Sequence, residues 1–318
     1  MSGLRAEVLS WFDAGRVVPG GEREVLRSAG MMPAPADWRG FLAQLGLWLG
    51  TVALAGSIIF FFAFNWDDLP RMAKFGLVEA AIVAALLACW WVDLESKQGK
   101  AVLVLLSLLT GALLALTGQV YQTGADTYEL FGWWAVLILP WVLASRFSPL
   151  WLIWLVLLNL TAHFYFTLGW DNEPLLWAQF AINSLALVAW EAGHRFGLAW
   201  LRDSWPPRLI AIGSGIYATG LGIWAITDTG GLPGLAQALA YLAWLGAFYA
   251  WYRHVRPDLF MLAGGLLSLI VTVIVFLAEH LFKSGPGSGA YLFIGLVVIG
   301  MSAGGAIWLK SVGRELEQ

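Results

Sequence analysis

Glu79 and His163 are the two side chains best placed to do chemistry, an acid and an imidazole set inside long apolar runs. Ionisable groups within a membrane span are costly, and they mark positions that face the interior of a bundle or a water-filled cavity. Glu79 lies seven residues in from Met72, the outer end of its run, which is roughly 10 Å at the helical rise. His163 lies five residues from the outer end of its own run, and Asn159 sits one turn deeper on the same face. A carboxyl and an imidazole at similar depth in a low dielectric can relay a proton or bind a cationic or hydrogen-bonding ligand. Alternatively, Glu79 pairs with Lys74 or Arg71 and only holds its helix in place, or desolvation keeps it protonated. Gln119 and Tyr121 close the third apolar run, Asn65 closes the first, and Asp126 follows the third in an acidic loop. The sequence thus predicts an outward-facing polar cavity with Glu79, His163, Asn159, Gln119, Tyr121, Asn65 and Asp126 as its ligand candidates.

Other chemistries find no support. The four histidines, His163, His194, His254 and His280, split between the two expected membrane faces, and no His-Glu-x-x-His run occurs, so no metal site is expected. Gly300-Met301-Ser302-Ala303-Gly304 matches the Gly-x-Ser-x-Gly pattern. That motif needs a strand-to-helix elbow, whereas here it lies in an apolar helical run and reads as a packing face. Gly46 with Gly50 and the Gly213, Gly215, Gly220, Gly222 series read the same way. A P-loop is absent, no cofactor is expected, and no catalytic set emerges. The outer loops carry Asp67, Asp68, Asp126, Glu129, Asp171, Glu173 and Asp228 against three bases, an excess that suits cations and also follows from topology.

The elements that must position these groups are membrane helices. The chain has 318 residues, 59% hydrophobic and 12% charged, with a mean hydropathy of +0.73. A soluble domain carries about 25% charged and about 45–50% apolar residues. This deficit of charge excludes a conventional soluble enzyme and a disordered chain. A net charge of −3 leaves no basic surplus for nucleic acid. Cys89 is the sole cysteine, so no internal disulfide can form. Ten runs are long enough to span a bilayer: Phe41–Phe64, Met72–Val92, Ala101–Tyr121, Leu130–Ser145, Leu150–Leu168, Leu175–Glu191, Arg208–Ile226, Leu235–Tyr252, Leu259–Leu281 and Ala290–Lys310. With the N-terminus in the cytoplasm, 15 of the 18 Lys and Arg fall on the inner side and only Arg71, Lys74 and Lys283 outside. The positive-inside rule therefore predicts an all-α polytopic membrane bundle of about ten helices with both termini cytoplasmic. Residues 1–40 read as a cytoplasmic amphipathic hairpin, 41–310 as the bundle and 311–318 as a cytoplasmic tail. The two halves show no convincing residue match that would mark an inverted repeat.

Three pieces carry a family resemblance: Trp11-Phe12-Asp13-Ala14-Gly15; Leu45-Gly46 through Phe64-Asn65-Trp66-Asp67-Asp68-Leu69-Pro70 and Lys74; and Gly118-Gln119-Val120-Tyr121-Gln122-Thr123-Gly124-Ala125-Asp126 on to Leu130-Phe131 and Pro140. Over residues 1–145 the chain resembles the bacterial polytopic membrane proteins of domain-of-unknown-function family 2157. The resemblance implies a bacterial cytoplasmic (inner) membrane location and brings no catalytic residues. Three functions are compatible with the whole: a small-solute transporter using the polar cavity; an envelope scaffold, sensor or assembly subunit whose hairpin docks a protein partner; or an enzyme on a lipid-linked substrate at the outer leaflet. The lack of catalytic motifs weighs against the enzyme, and the lipid bilayer is a partner in all three.

Overall fold

The structure, a computed structural model, describes residues 2–18, 20–33, 35–64, 70–122, 124–167, 173–227, 233–282 and 288–317. Asn65, Asp67, Asp68, Asp171, Asp228, Lys283 and the Gly285-Pro286-Gly287 loop lie outside the described residues. The described chain is helical, without strands: α1 Ser2–Asp13, α2 Glu22–Ser28, α3 Pro35–Phe64, α4 Arg71–Trp91, α5 Lys97–Tyr121, α6 Thr127–Ser145, α7 Ser148–Phe166, α8 Glu173–Arg195, α9 Trp205–Thr227, α10 Pro233–Ala250, α11 Leu259–Phe282 and α12 Ser288–Glu317. Among the described residues nine helices, α3–α9, α11 and α12, are long and apolar enough to cross a membrane. The tenth expected run is α10, the shortest of these helices at 18 residues, which continues into a five-residue π-helical turn, Trp251–Val255. A lone apolar helix satisfies its own backbone, which is why lipid selects this architecture.

The chain divides into two compact units, Met1–Leu113 and Leu114–Gln318. In the first, α1 ends where Gly15 takes a left-handed φ of +62°. Gly15 N–H then bonds Phe12 O and Arg16 N–H bonds Trp11 O, each at 3.0 Å, closing the helix C-terminus. The first long helix starts at Pro35, ahead of the expected Phe41, because Pro suits an opening helical turn and Asp37 favours its positive end.

The link from α4 to α5 is a tight local turn. Asp93 Oδ1 accepts from Glu95 N–H at 3.0 Å, Ser96 Oγ donates to Asp93 O at 2.6 Å, and Gly99 N–H donates to Ser96 Oγ at 3.1 Å. A Cβ on Gly99 would lie 2.3 Å from Asp93 O and 2.7 Å from Leu94 Cα. Both are backbone atoms, so no side-chain rotation relieves the clash. Gly99→Ala is expected to destabilise the first unit by on the order of 2 kcal/mol, seen as a lower thermal midpoint of the detergent-solubilised full chain. An unchanged midpoint would mean that the turn opens freely.

In the second unit successive helices from α6 to α12 pack against one another. The α6–α7 hairpin is held by Phe131 stacked on Phe164 at 5.5 Å and by Trp154 Nε1 donating to Ala135 O at 3.0 Å. α9 is the hub: α8, α10 and α11 all pack on it. Its buried face is Ile210, Ala211, Ser214, Ala218, Leu221 and Gly222, a stripe at helical period with small residues that admit close neighbours. Every described Lys and Arg of this unit lies toward one end, here the basic end: Arg146, Arg195, Arg202, Arg208, Arg253, Arg256, Lys310 and Arg314. Glu129, Glu173 and Glu279 mark the other.

Candidate functional site

Two amides four residues apart on α8, Gln179 and Asn183, share one face and are buried, 1% and 5% exposed. Asn159 on α7 meets them. Asn183 Nδ2 donates to Asn159 Oδ1 at 2.6 Å and to Gln179 O at 2.8 Å, and Gln179 Nε2 donates to Asn159 O at 2.8 Å. Opposite, α9 presents Gly213, where a Cβ would lie 2.8 Å from Asn183 Oδ1. A side chain there would have to displace that amide. Gln179 Oε1 is buried with no hydrogen-bond partner. Leaving such an acceptor dry costs about 1–3 kcal/mol, so a buried orphan carbonyl points to an enclosed water or to a side chain that turns when its partner arrives.

The open space is a cleft of about 530 Å³ between α7 and α9, floored by α8. Asn159, His163, Gln179, Asn183 and Tyr217 give it polarity, and Leu155, Ile210 and Ile216 give it apolar walls. His163 is exposed and stands at the cleft margin.

The sequence-selected residues are thus distributed as follows. Asn159 and His163 share the cleft. Gln119, Tyr121 and Asp126 are exposed and do not line it. Glu79 is exposed on α4 in the first unit and His163 belongs to the second. Asn65 lies outside the described residues. Gln179, Asn183 and Gly213 are the additions, and the signal for the two amides is their four-residue spacing inside an apolar run at the level of Asn159.

The basic end carries a second polar cluster. Glu191 is 5% exposed. Arg256 NH1 reaches both its oxygens at 2.9 Å, Tyr252 Oη donates to one at 3.0 Å and Trp251 Nε1 to the other at 3.3 Å. The π-helical turn brings Trp251 and Tyr252 onto this carboxylate, as such turns often do at functional positions. Nearby, Arg208 forks onto Asp258 at 3.0 and 3.2 Å, and Arg253 pairs with Glu315. A third cluster contains no charge: Thr219 and Ser268 hydroxyls at 2.7 Å, Ser268 and Tyr241 at 3.2 Å, and Thr272 donating to Tyr241 at 3.1 Å, linking α9, α10 and α11.

The glycine series divides. Gly213, Gly215, Gly220 and Gly222 all face close neighbours, Gly222 with the Tyr241 ring 3.0 Å from its Cβ position. Gly46, Gly50, Gly300 and Gly304 face open space, which corrects their reading as packing faces. On α12 the close contacts belong to Gly305, against Leu266, and Gly313, against Leu259. Gly300–Gly304 is helical throughout, so Ser302 occupies no nucleophile elbow. Among the described residues no group of three His, Cys, Asp or Glu is placed to hold a metal ion.

Nine apolar helices among the described residues and a charge-poor interior describe a membrane protein, and the comparison with families agrees. Residues 9–151 match the family model described as Predicted membrane protein (DUF2157). The match runs from within α1 to the start of α7 and takes in the three sequence pieces that carry the resemblance. The amide cleft, formed by residues from Leu152 onward, lies beyond the matched stretch. No curated protein and no solved structure matches the chain.

Proposed function

We propose that this chain binds a small neutral solute in the amide cleft and passes it across a bacterial inner membrane, with the basic end and both termini in the cytoplasm. The observation that carries the reading is the polar lining of the cleft at mid-helix, Asn159, Gln179, Asn183 and Tyr217, beneath which Gln179 Oε1 is buried without a partner. A turn of the Gln179 side chain would offer this acceptor to a guest that donates a hydrogen bond, while Asn159 and Asn183 spend their own donors within the protein. The depth supports transport. Asn183 stands ten residues from Glu173 along α8, roughly 15 Å, and a hydrocarbon core is about 30 Å thick. A binding site near the midplane is where transporters place theirs. The acidic end faces outward in this orientation, with His163 at the mouth. Neutral amides favour an uncharged solute, because an ion there would meet no opposite charge on Asn159, Gln179 or Asn183.

The test is solute-driven reswelling of proteoliposomes containing the full chain, followed by light scattering with urea, acetamide and glycerol. Reswelling faster than in protein-free vesicles is expected for at least one of them. Gln179→Leu should slow it about tenfold, the equivalent of one hydrogen bond of about 1.4 kcal/mol, with the thermal midpoint kept. Equal rates with and without protein, or an indifferent Gln179→Leu, would overturn the reading.

A further inference from the structure

α8 and α10 both pack on α9, and the space between them is a groove of about 600 Å³ on another part of the second unit. That volume lies within the range of about 300–1,000 Å³ typical of ligand sites. Its walls are apolar, with Leu187, Val188 and Ala192 from α8 facing Ala247 and Phe248 from α10. At the closed end Ser214 already bonds Ser184 at 2.8 Å and Trp244 Nε1 at 2.9 Å, so its hydroxyl is occupied. At the basic end the Glu191 carboxylate is fully engaged by Arg256, Tyr252 and Trp251. Arg195 is different. It is exposed, lies 5.8 Å over the Trp251 ring, and among the described residues no carboxylate pairs with it.

The groove therefore has an apolar bore with one unneutralised guanidinium at its mouth, at the end where the bundle gathers its bases. Lipid chains surround such a groove on its open side, where Val188 and Phe196 are exposed. Arginine binds phosphate with a geometric match that lysine lacks, and basic pockets between membrane helices hold anionic head groups. We propose that the α8–α10 groove is a binding site for an anionic phospholipid, with an acyl chain between the helices and the phosphate on Arg195.

The experiment is native mass spectrometry of the detergent-solubilised full chain, titrated in parallel with phosphatidylglycerol and phosphatidylcholine. Expected are tighter retention of phosphatidylglycerol, loss of about fivefold in its affinity in Arg195→Gln, and unchanged retention in Arg202→Gln, a base outside the groove. Ala247→Trp, which fills the bore, should remove binding of both lipids. Arg195→Gln changes an exposed side chain, so it keeps the test decisive even if Ala247→Trp fails to fold. Equal retention of the two lipids, or phosphatidylglycerol binding indifferent to Arg195→Gln, would overturn the proposal. So would a wild-type dimer that Ala247→Trp converts to monomer, because a second copy of the chain would then occupy the groove.

Discussion

Glu191→Leu is expected to destabilise the second unit by about 3 kcal/mol, a large effect for one residue of the bundle. The substitution is close in volume but removes the acceptor for three donors at once. Arg256, Tyr252 Oη and Trp251 Nε1 would all lose their partner. Breaking a buried ion pair from one side costs about 3–5 kcal/mol, because the remaining charge stays in low dielectric. The lower end applies here because Arg256 is 22% exposed at the side chain and can turn toward water. Replacing both members, Glu191→Leu with Arg256→Met, should recover most of the loss. Thermal unfolding of the solubilised full chain reads both values. If the single and double variants melted together, the stranded guanidinium would not be the cause.

Gly213→Ala should destabilise by about 2 kcal/mol and shut the amide cleft. In an isolated helix the same change stabilises by about 1 kcal/mol, since alanine loses less backbone entropy. The sign reverses here because the new Cβ would lie 2.8 Å from Asn183 Oδ1 and 3.2 Å from its Cγ. Asn183 must then shift, and its bonds to Asn159 and to Gln179 O go with it. Gly264→Ala is the matched control: it sits in α11 of the same bundle with nothing within 4 Å of the added Cβ. Its midpoint should hold or rise while that of Gly213→Ala falls, and solute reswelling should fail only in Gly213→Ala. Parallel behaviour of the two would show that the Asn183 amide has slack.

Membrane helices are legible in a sequence because a bilayer imposes a length. Runs of about 20 apolar residues announce themselves without tertiary information, and α3–α12 each occupy one of the expected runs. Their edges are less legible. The α3 helix begins at Pro35 and takes in Asp37 and Arg39, since backbone hydrogen bonding continues past the residues that hydropathy stops at. Glycine spacing identifies a face but not whether anything stands against it. Gly213 and Gly222 meet neighbours, while Gly300 and Gly304, one helical turn apart on a single face, meet none. The cleft was half legible. Asn159 and His163 stand out by type and depth, and Gln179 with Asn183 repeats at one helical turn. What joins Asn159 to Asn183 is the packing of α7 on α8, and nothing local in either helix records that side-chain pairing.

The basic end and the middle of the second unit differ in how they are held, and that gives them different responses to ionic strength. At the basic end Arg208–Asp258 and Arg253–Glu315 reach water, with side-chain exposures of 39% and 13% in the first pair and 19% and 57% in the second. At 1 M salt the Debye length falls to about 3 Å, and attractions between such exposed charges are largely screened. The Asn159–Asn183 and Thr219–Ser268–Tyr241 contacts carry no net charge and have nothing to screen. Concentrated salt should therefore loosen the start of α11 and the end of α12 while the middle of the bundle stays closed, a selective fraying that amide exchange along the chain would resolve residue by residue.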